Sequence, residues 1–419
     1  MTPSASDLQL NGQTSDRTSS IIWLLVVAGL FLNLTLKFGD SGRVLLLSVF
    51  DVVLVALVVL QILRVGLQWQ AQMIWPLATI FLIVIVASAT FYFGENIKIA
   101  GLLRETIKYL GFLVGVTICG LLYRGGTLAS PSIPVMVVLG ILSLAMWFIQ
   151  FEYFLPPDKI YLAVNSYSNA CLGLSVLAMY LLRDHPNRGV WLGIAVYQAC
   201  VLAGCVLLNT TAMSIAALLI LTVTIATALG IDRIKFNLVR ESILVCLSIV
   251  CLSTVVFLNP QYIEALLPET WRQAAVIRLG LWKTAGELAL THFPYGIGPG
   301  QFGELGLIEY QLWVSLKSKT LEMLGLEPFA LVGGLLPMRF VHNTFLAMLV
   351  EWGVVALFLL AMLGAVIWQV LKIRPFTAAL CYLLYLLPTL MLHDGLGFRA
   401  HYLILGFGVL AFLQDRRST

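Results

Sequence analysis

The residues best suited to chemistry lie on either side of a glycine-rich segment in the second half of the chain. His342 is followed by Asn343, whose side chain can cap a helix that begins there. A helix N-terminus disfavours imidazolium, so His342 is expected to stay neutral and able to accept a proton. Upstream, Arg278 precedes Trp282 by one helical turn, and a planar guanidinium suits two-point recognition of phosphate. The pattern indicates a proton acceptor near an anion site; the alternatives are a structural histidine and a solvated helix face.

A second group of charged residues opens an apolar segment. Arg104 and Lys108 are four residues apart and share one face of a helix, and Glu105 can pair with them locally. The two cations either extend to lipid headgroups along their aliphatic stems or line an anion pocket. Arg399 stands in a similar position, just before the last apolar run of the chain.

Between these groups lies a glycine-rich segment. Residues 294–306 include Gly298 and Gly300 and are predicted to form a turn. Glu351 follows His342 by nine residues, about two and a half helical turns. A carboxylate at that depth is predicted to bond to a neighbouring helix.

The elements that must position these residues are membrane spans. Of the 419 residues, 60% are hydrophobic and only 11% are charged, whereas a soluble domain carries about 25% charged residues. This composition excludes a soluble enzyme and predicts a multi-pass membrane protein. The net charge of +4 is too small to indicate nucleic acid binding. The seven cysteines lie in apolar runs without CxxC spacing, so neither a disulfide framework nor a zinc site is indicated.

About twelve apolar runs are long enough to be considered as spans of the bilayer. They cover residues 20–36, 44–63, 73–93, 101–123, 133–151, 168–182, 190–208, 212–231, 241–259, 343–371, 376–392 and 401–413. An even number places both termini on one side. Lys and Arg are more frequent in the segments that a cytoplasmic N-terminus would place inside, so both termini are predicted to be cytoplasmic.

The predicted fold class is therefore an all-α, polytopic membrane bundle with one large outer loop. Its parts are a disordered cytoplasmic tail (1–19), a first set of nine helices (20–259), the loop (260–341), three last helices (342–413) and a second tail (414–419).

The loop is too long to be structureless. Two amphipathic helices are predicted in it, Glu269–His292 and Leu307–Leu326, lying over the outer mouth of the bundle.

Three stretches of the second half together resemble the O-antigen ligase and polymerase superfamily of bacterial envelope polysaccharide enzymes. They read Arg278-Leu-Gly-Leu-Trp282, then Phe293-Pro-Tyr-Gly-Ile-Gly-Pro-Gly-Gln-Phe302, then His342-Asn343-Thr-Phe-Leu346 with Glu351 and Gly353. The family pattern has an Arg and a Trp in a loop helix, a P-x-G-x-G-x-G-x-F turn, and His-Asn followed at a distance by Gly. All three occur here in order. Outside this region the resemblance is one of topology only.

Two positions depart from the family pattern. Many members carry a Ser-Arg-Gly-like motif where this chain reads Asn209-Thr-Thr-Ala-Met-Ser214, without an arginine. Arg104, Lys108 or Arg399 would then have to supply the missing phosphate contact. Ala356 stands where ligases often have Gly, Thr or Tyr, which favours a polymerase.

The resemblance implies glycosyl transfer at the periplasmic face of the bacterial inner membrane. The donor would be a glycan on undecaprenyl pyrophosphate. The acceptor hydroxyl would belong to another lipid-linked repeat unit in a polymerase of O-antigen or exopolysaccharide, or to lipid A-core in a ligase. The transfer would invert the anomeric centre, with no metal and no cofactor. Further expected partners are the lipid bilayer and a chain-length regulator protein. Binding to nucleic acid is not expected.

The site implied in this way combines one base with several cations. The catalytic residue is His342, and the residues that bind pyrophosphate are Arg278, Arg104, Lys108 and Arg399. Supporting residues are Trp282, Asn343, Glu351, Gly298 and Gly300.

Two other classes of function remain open. A lipid-linked oligosaccharide transporter or flippase fits the number of spans, but the internal repeats usual in transporters are not visible in the sequence. A flippase also needs cations spread through the bundle, whereas here they collect at one face. A purely structural assembly subunit leaves the cations and His342 without a role.

Overall fold

The computed structural model describes residues 16–31, 33–36, 45–65, 74–93, 99–128, 131–149, 160–182, 187–207, 211–229, 269–323, 326, 341, 343–371, 376–392 and 399–415. All structural statements below concern these residues.

The described chain is almost entirely helical, which confirms the predicted all-α class. The elements before the outer segment are α1 (Asp16–Phe31), β1 (Asn33–Leu36), β2 (Leu45–Ser48), α2 (Val49–Val65), α3 (Ile74–Phe93), α4 (Ile99–Arg124), α5 (Ile133–Ile149), α6 (Ile160–Leu181), α7 (Arg188–Leu207) and α8 (Thr211–Ala228). The later elements are α9 (Glu269–Thr291), α10 (Phe302–Leu316), α11 (Ser318–Met323), α12 (Thr344–Trp352), α13 (Val354–Leu371), α14 (Phe376–Leu392) and α15 (Arg399–Asp415).

The first two helices are shorter than the apolar runs 20–36 and 44–63 that were predicted as spans. β1 and β2 take the ends of these runs and pair antiparallel, with Asn33 opposite Ser48 and Leu36 opposite Leu45. A short apolar run fits a strand as well as a helix, so periodicity alone could not separate them. At the other end α1 begins at Asp16, so the last four residues of the predicted tail 1–19 are helical.

Helices α4 and α15 lie side by side and run in the same direction. The Tyr402 ring occupies the space where Gly115 lacks a side chain, and Val409 lies against Gly120. Because residue numbers increase together along the two helices, the pair is parallel. At 1.5 Å per residue, this register places the backbone of Arg399 about one helical turn further along α4 than Lys108.

Helices α6 and α14, which lie close to α15, run in opposite directions to each other. Asn169 of α6 bonds to Tyr385 of α14, whereas Tyr180, further along α6, faces the ring of Tyr382. The numbers run in opposite senses, so α6 and α14 are antiparallel. We call the end of the bundle that carries the N-termini of α4 and α15 the loop end, because residues 294–301 pack there.

The predicted span 343–371 is divided into α12 and α13 at Gly353. This residue has a φ of +54°, in the left-handed region that favours glycine. The N–H of Val354 donates to the Pro294 carbonyl at 2.7 Å rather than continuing a single helix.

The helix predicted over Glu269–His292 is present as α9. The second predicted helix, Leu307–Leu326, differs from the structure. Helix α10 already begins at Phe302, and an interruption at Lys317 separates it from α11. The glycine-rich turn is accordingly shorter than the predicted 294–306, because only its glycines before residue 302 have a positive φ.

The buried side chains form two clusters. The larger one joins most helices of the bundle. The smaller one lies between α9, α10 and α12 and includes Val276, Leu281, Phe302, Tyr310 and Val350. The segment that contains α9 and α10 therefore has its own core, and α12 connects it to the bundle.

Two of the described helices, Gly101–Arg124 and Arg188–Leu207, are long and apolar enough to cross a membrane by length and composition. Shorter apolar helices are found at Thr18–Phe31, Val49–Leu63, Leu77–Tyr92, Ile133–Ile149, Tyr167–Leu181, Met213–Ala228 and Val354–Trp368. The number of about twelve spans stays a prediction, and the predicted span 241–259 lies outside the described residues.

Candidate functional site

The glycine-rich turn lies along the break between α12 and α13. The N–H of Ile297 donates to the Val350 carbonyl at 2.8 Å, and the N–H of Gly298 donates to the Glu351 carbonyl at 3.2 Å. These bonds use carbonyls at the C-terminal end of α12, which have no partner within the helix. The turn therefore holds the last turn of α12 in place.

The same turn contacts the N-terminal turn of α4. Gly300 has a φ of +73° and lies directly on the backbone of Gly101. A Cβ added to Gly101 would lie 2.8 Å from the Gly300 carbonyl oxygen. Gly298 lies in the same way against the side chain of Thr90 at the end of α3. Two glycines that face each other let the two backbones approach closely, so the turn connects α4 with α12.

The charged residues of α4 begin one turn after Gly101. Arg104 Nε is 3.1 Å from Glu105 Oε1, and Lys108 forms an ion pair with Glu105 Oε2. The Glu105 side chain is only 4% exposed, whereas Arg104 is partly open to solvent. The predicted local pairing is confirmed. The three side chains together carry one net positive charge, and Glu105 orients both cations.

An aromatic contact joins this charged turn to the end of α12. The rings of Tyr109 and Trp352 have centroids 5.0 Å apart, and Lys108 Nζ lies 5.4 Å from the centroid of the Tyr109 ring. Trp352 follows Glu351, which is buried. Glu351 and the cation pair of Arg104 and Lys108 therefore lie in the same region of the loop end.

Asn343 caps α12 as predicted. Its Oδ1 accepts from the N–H of Leu346 at 3.1 Å, and the side chain is buried. Helices α9 and α12 contact each other through the smaller cluster, and both end at the glycine turn, so they run parallel. Asn343 and Trp282 each lie nine residues before the last residue of their helix. At 1.5 Å per residue this places them at about the same level.

Arg278 and Trp282 are both partly buried on α9. Burial lowers the pKa of the Arg278 guanidinium from its ordinary value, although an arginine remains charged at neutral pH. The indole N–H of Trp282 is buried and has no hydrogen-bond acceptor among the described residues. A buried donor is costly when it has no partner.

The structure thus brings together two sets of predicted residues. Gly298, Gly300 and Glu351 lie at the loop end, next to the part of α4 that carries Arg104 and Lys108. Arg278 and Trp282 lie near the level of Asn343. His342 lies outside the described residues, and for Arg399 only the backbone position at the start of α15 is described.

Sequence reasoning missed two features of this region. One is the role of Gly101 as the contact of Gly300; a glycine in an apolar helix carries no functional signal by itself. The other is a buried polar cluster around His401. The sequence signal for this cluster is His401 itself, an ionisable side chain inside an apolar run. No group of three or more His, Cys, Asp or Glu side chains able to hold a metal ion occurs in the described part of the chain.

No protein-family model, curated protein or solved structure matches the chain. A functional proposal for this chain therefore rests on the geometry of the loop end and on the sequence motifs that lie there.

Proposed function

We propose that the protein is a multi-pass inner-membrane glycosyltransferase that uses an undecaprenyl-pyrophosphate-linked glycan at its periplasmic face. Its most favoured reaction is the polymerisation of O-antigen or exopolysaccharide repeat units. The observation that carries the proposal is the contact of the glycine turn with both Gly101 and residues 350–354. It joins a partly exposed cation pair to the helix that follows His342.

A membrane location is supported by the exposed faces of the helices. On α2, the residues Val52, Val55, Val59 and Leu63 share one face, and all are exposed, Leu63 by 78%. Contiguous apolar surface of this kind is rare on soluble monomers. The parallel course of α4 and α15 and the antiparallel course of α6 and α14 are consistent with spans that alternate in direction.

In the proposed reaction the acceptor hydroxyl attacks the anomeric carbon of the donor glycan. The new glycosidic bond forms as the bond from that carbon to the pyrophosphate oxygen breaks, and undecaprenyl pyrophosphate leaves. The hydroxyl proton passes to His342 as general base. The negative charge that develops on the leaving group is stabilised by arginine and lysine side chains held in place before the reaction.

The cations differ in what they can contribute. Arg104 and Lys108 are oriented by a buried carboxylate, which keeps their side chains ordered without substrate. Arg278 is partly desolvated, and its charge therefore acts in a medium of lower effective dielectric constant than water. Together with the indole N–H of Trp282 it offers donors on one face of α9 for phosphate oxygens.

Replacement of Arg278 by lysine is expected to impair glycan transfer severely. Lysine keeps the charge but loses the planar pair of donors, so two-point recognition of phosphate is lost. We expect a fall in kcat/KM for the lipid-linked donor of about tenfold to a hundredfold. The measurement is polymer formation by purified protein with a defined lipid-linked repeat unit.

The matched control for Arg278 is Lys283→Gln on the same helix. Lys283 is half exposed and pairs with Glu287 at 3.5 Å, so removing its charge should have little effect. Full activity of Arg278→Lys would contradict a role in binding pyrophosphate.

The proposed orientation predicts that Ser315 faces the periplasm. Ser315 is exposed on α10. In a variant without the seven native cysteines, Ser315→Cys should react with a membrane-impermeant maleimide in intact cells lacking the outer-membrane barrier. Asn187→Cys, exposed at the opposite end of the bundle, should react only after the membrane is opened. The reverse labelling pattern would refute the orientation.

The acceptor decides between the two reactions of the family. A deletion strain that makes lipid A-core capped with a single repeat unit identifies a polymerase. A strain whose core is wholly uncapped identifies a ligase.

A further inference from the structure

A fully buried polar cluster lies inside the bundle and has no part in the proposed chemistry. It consists of Asn169 on α6, Tyr385 and Thr389 on α14, and His401 on α15, and all four residues are 0% exposed. Thr389 Oγ1 lies 3.0 Å from His401 Nε2, and Asn169 Nδ2 lies 3.5 Å from the same atom. The cluster therefore links three helices through one imidazole nitrogen.

The hydrogen bonds assign a protonation state to this histidine. The Tyr385 hydroxyl donates to Asn169 Oδ1 at 2.6 Å, so the amide group of Asn169 turns its N–H₂ toward His401. The amide N–H₂ of Asn169 thus faces Nε2, which acts as an acceptor. The Thr389 hydroxyl also lies against Nε2, but its one proton is within donating distance of the Tyr385 and Leu386 carbonyls, at 2.9 Å each. An imidazole with an acceptor nitrogen is neutral.

The sequences of three neighbouring helices are consistent with a neutral His401 imidazole. The sequences of α6, α13 and α14 contain no Asp, Glu, Lys or Arg. The ring face is covered by Tyr385, whose centroid is 5.3 Å away at an interplanar angle of 76°. An imidazolium here would be a buried charge without a carboxylate on these three helices, which is costly.

The cluster fixes the first turn of α15 from one side, and α4 fixes it from the other. Tyr402 follows His401, fills the notch at Gly115, and contacts Phe112 with ring centroids 5.9 Å apart. Arg399, the first residue of α15, is two positions before His401. Its backbone is therefore held at a fixed distance from the turn of α4 that carries Lys108.

From this geometry we infer that His401 is a positioning residue for the cation group of the loop end. As a neutral hydrogen-bond acceptor it locks α15 to α6 and α14, and so sets the place of Arg399 relative to Arg104 and Lys108. The role of Arg399 in binding pyrophosphate rests on the proposed function. The hydrogen-bonded connection of α15 to α6 and α14, which we call the lock, does not depend on the proposed function.

The first test is spectroscopic and needs no substrate. In protein labelled with ¹⁵N-histidine at neutral pH, His401 should contribute one signal of an unprotonated ring nitrogen. That signal should be absent from His401→Gln, which identifies it among the five histidines. A His401 with both ring nitrogens protonated would overturn the assignment.

The second test is kinetic and uses a pair of substitutions. Glutamine places an acceptor oxygen near the position of Nε2, whereas leucine fills the space without one. His401→Leu should raise the KM for a lipid-linked donor about tenfold relative to His401→Gln, with little change in kcat. Equal donor KM values for the two variants would refute the positioning role.

A third comparison separates the cluster from a general effect of removing hydroxyl groups. Thr389 and Thr222 both bond to the carbonyl four residues earlier, at 2.9 and 2.8 Å, but only Thr389 meets a histidine. Thr389→Val should raise the donor KM and Thr222→Val should not. The same effect from both would count against the cluster.

The result that refutes the proposed transferase function differs from the result that refutes the positioning role of His401. A wild-type protein inactive toward every lipid-linked donor refutes the transferase. In that case the lock is tested by melting temperature, which should fall more for His401→Leu than for His401→Gln. Equal melting temperatures would refute the lock as well.

Discussion

Replacement of Gly300 by valine should abolish activity and destabilise the protein strongly. A Cβ at this position would overlap the backbone carbonyl group of Gly101, which cannot turn aside as a side chain can. The φ of +73° adds strain for any residue with a Cβ, and most for a β-branched one. Together the two effects should cost about 3 kcal/mol or more.

The measurement for Gly300→Val is thermal unfolding of detergent-purified protein together with polymer formation. The matched control is Gly286→Ala on α9, where an added Cβ meets nothing within 4 Å. That change should be neutral or slightly stabilising, because alanine favours a helix over glycine by about 1 kcal/mol. A Gly300→Val protein with wild-type stability would show that the turn does not lie on Gly101.

The contact of Gly300 with Gly101 illustrates which parts of the site could be predicted from the sequence and which could not. The glycine-rich turn was visible because several glycines in a short segment indicate positive φ values. What this turn touches was not visible, because Gly101 is an ordinary residue of an apolar helix and lies far away in the chain. Long-range contacts of this kind depend on packing and leave no local pattern.

Local chemistry was easier to predict than the division of apolar runs. The Asn343 cap and the pairing of Glu105 with Arg104 and Lys108 follow from neighbours within one helical turn, and both are present. By contrast, the apolar run through Gly353 was predicted as one helix. Its interruption depends on the Pro294 carbonyl, which takes the N–H of Val354.

The buried cluster shows a different limit of sequence reasoning. Tyr385 and His401 lie on consecutive helices, but Asn169 is 216 and 232 residues away from them in the chain. Each of the three alone looks like a tolerated polar residue in an apolar run. Their partnership arises only when the helices pack. Arg104, Lys108 and Arg399 could be predicted as site candidates because each lies near the end of an apolar segment, where a charge stands out in the sequence.

Replacement of His342 by alanine should remove activity without lowering the amount of folded protein. Loss of a general base typically slows a reaction by a factor of about 10² to 10⁴, enough to leave uncapped or unpolymerised lipid in cells. His342→Gln should be equally inactive, because glutamine keeps a polar side chain but cannot take up the proton.

The control for His342 is a histidine of the same outer segment with a different environment. His292 is exposed at the end of α9, where its Nδ1 lies 3.0 Å from both Thr291 Oγ1 and the Leu288 carbonyl. His292→Ala should therefore retain most of the activity. Single-turnover kinetics with a defined lipid-linked donor separates the chemical step from donor binding. A His342→Ala enzyme with a wild-type rate of transfer would exclude His342 as the base, whereas slow transfer with unchanged donor affinity would assign the proton to it.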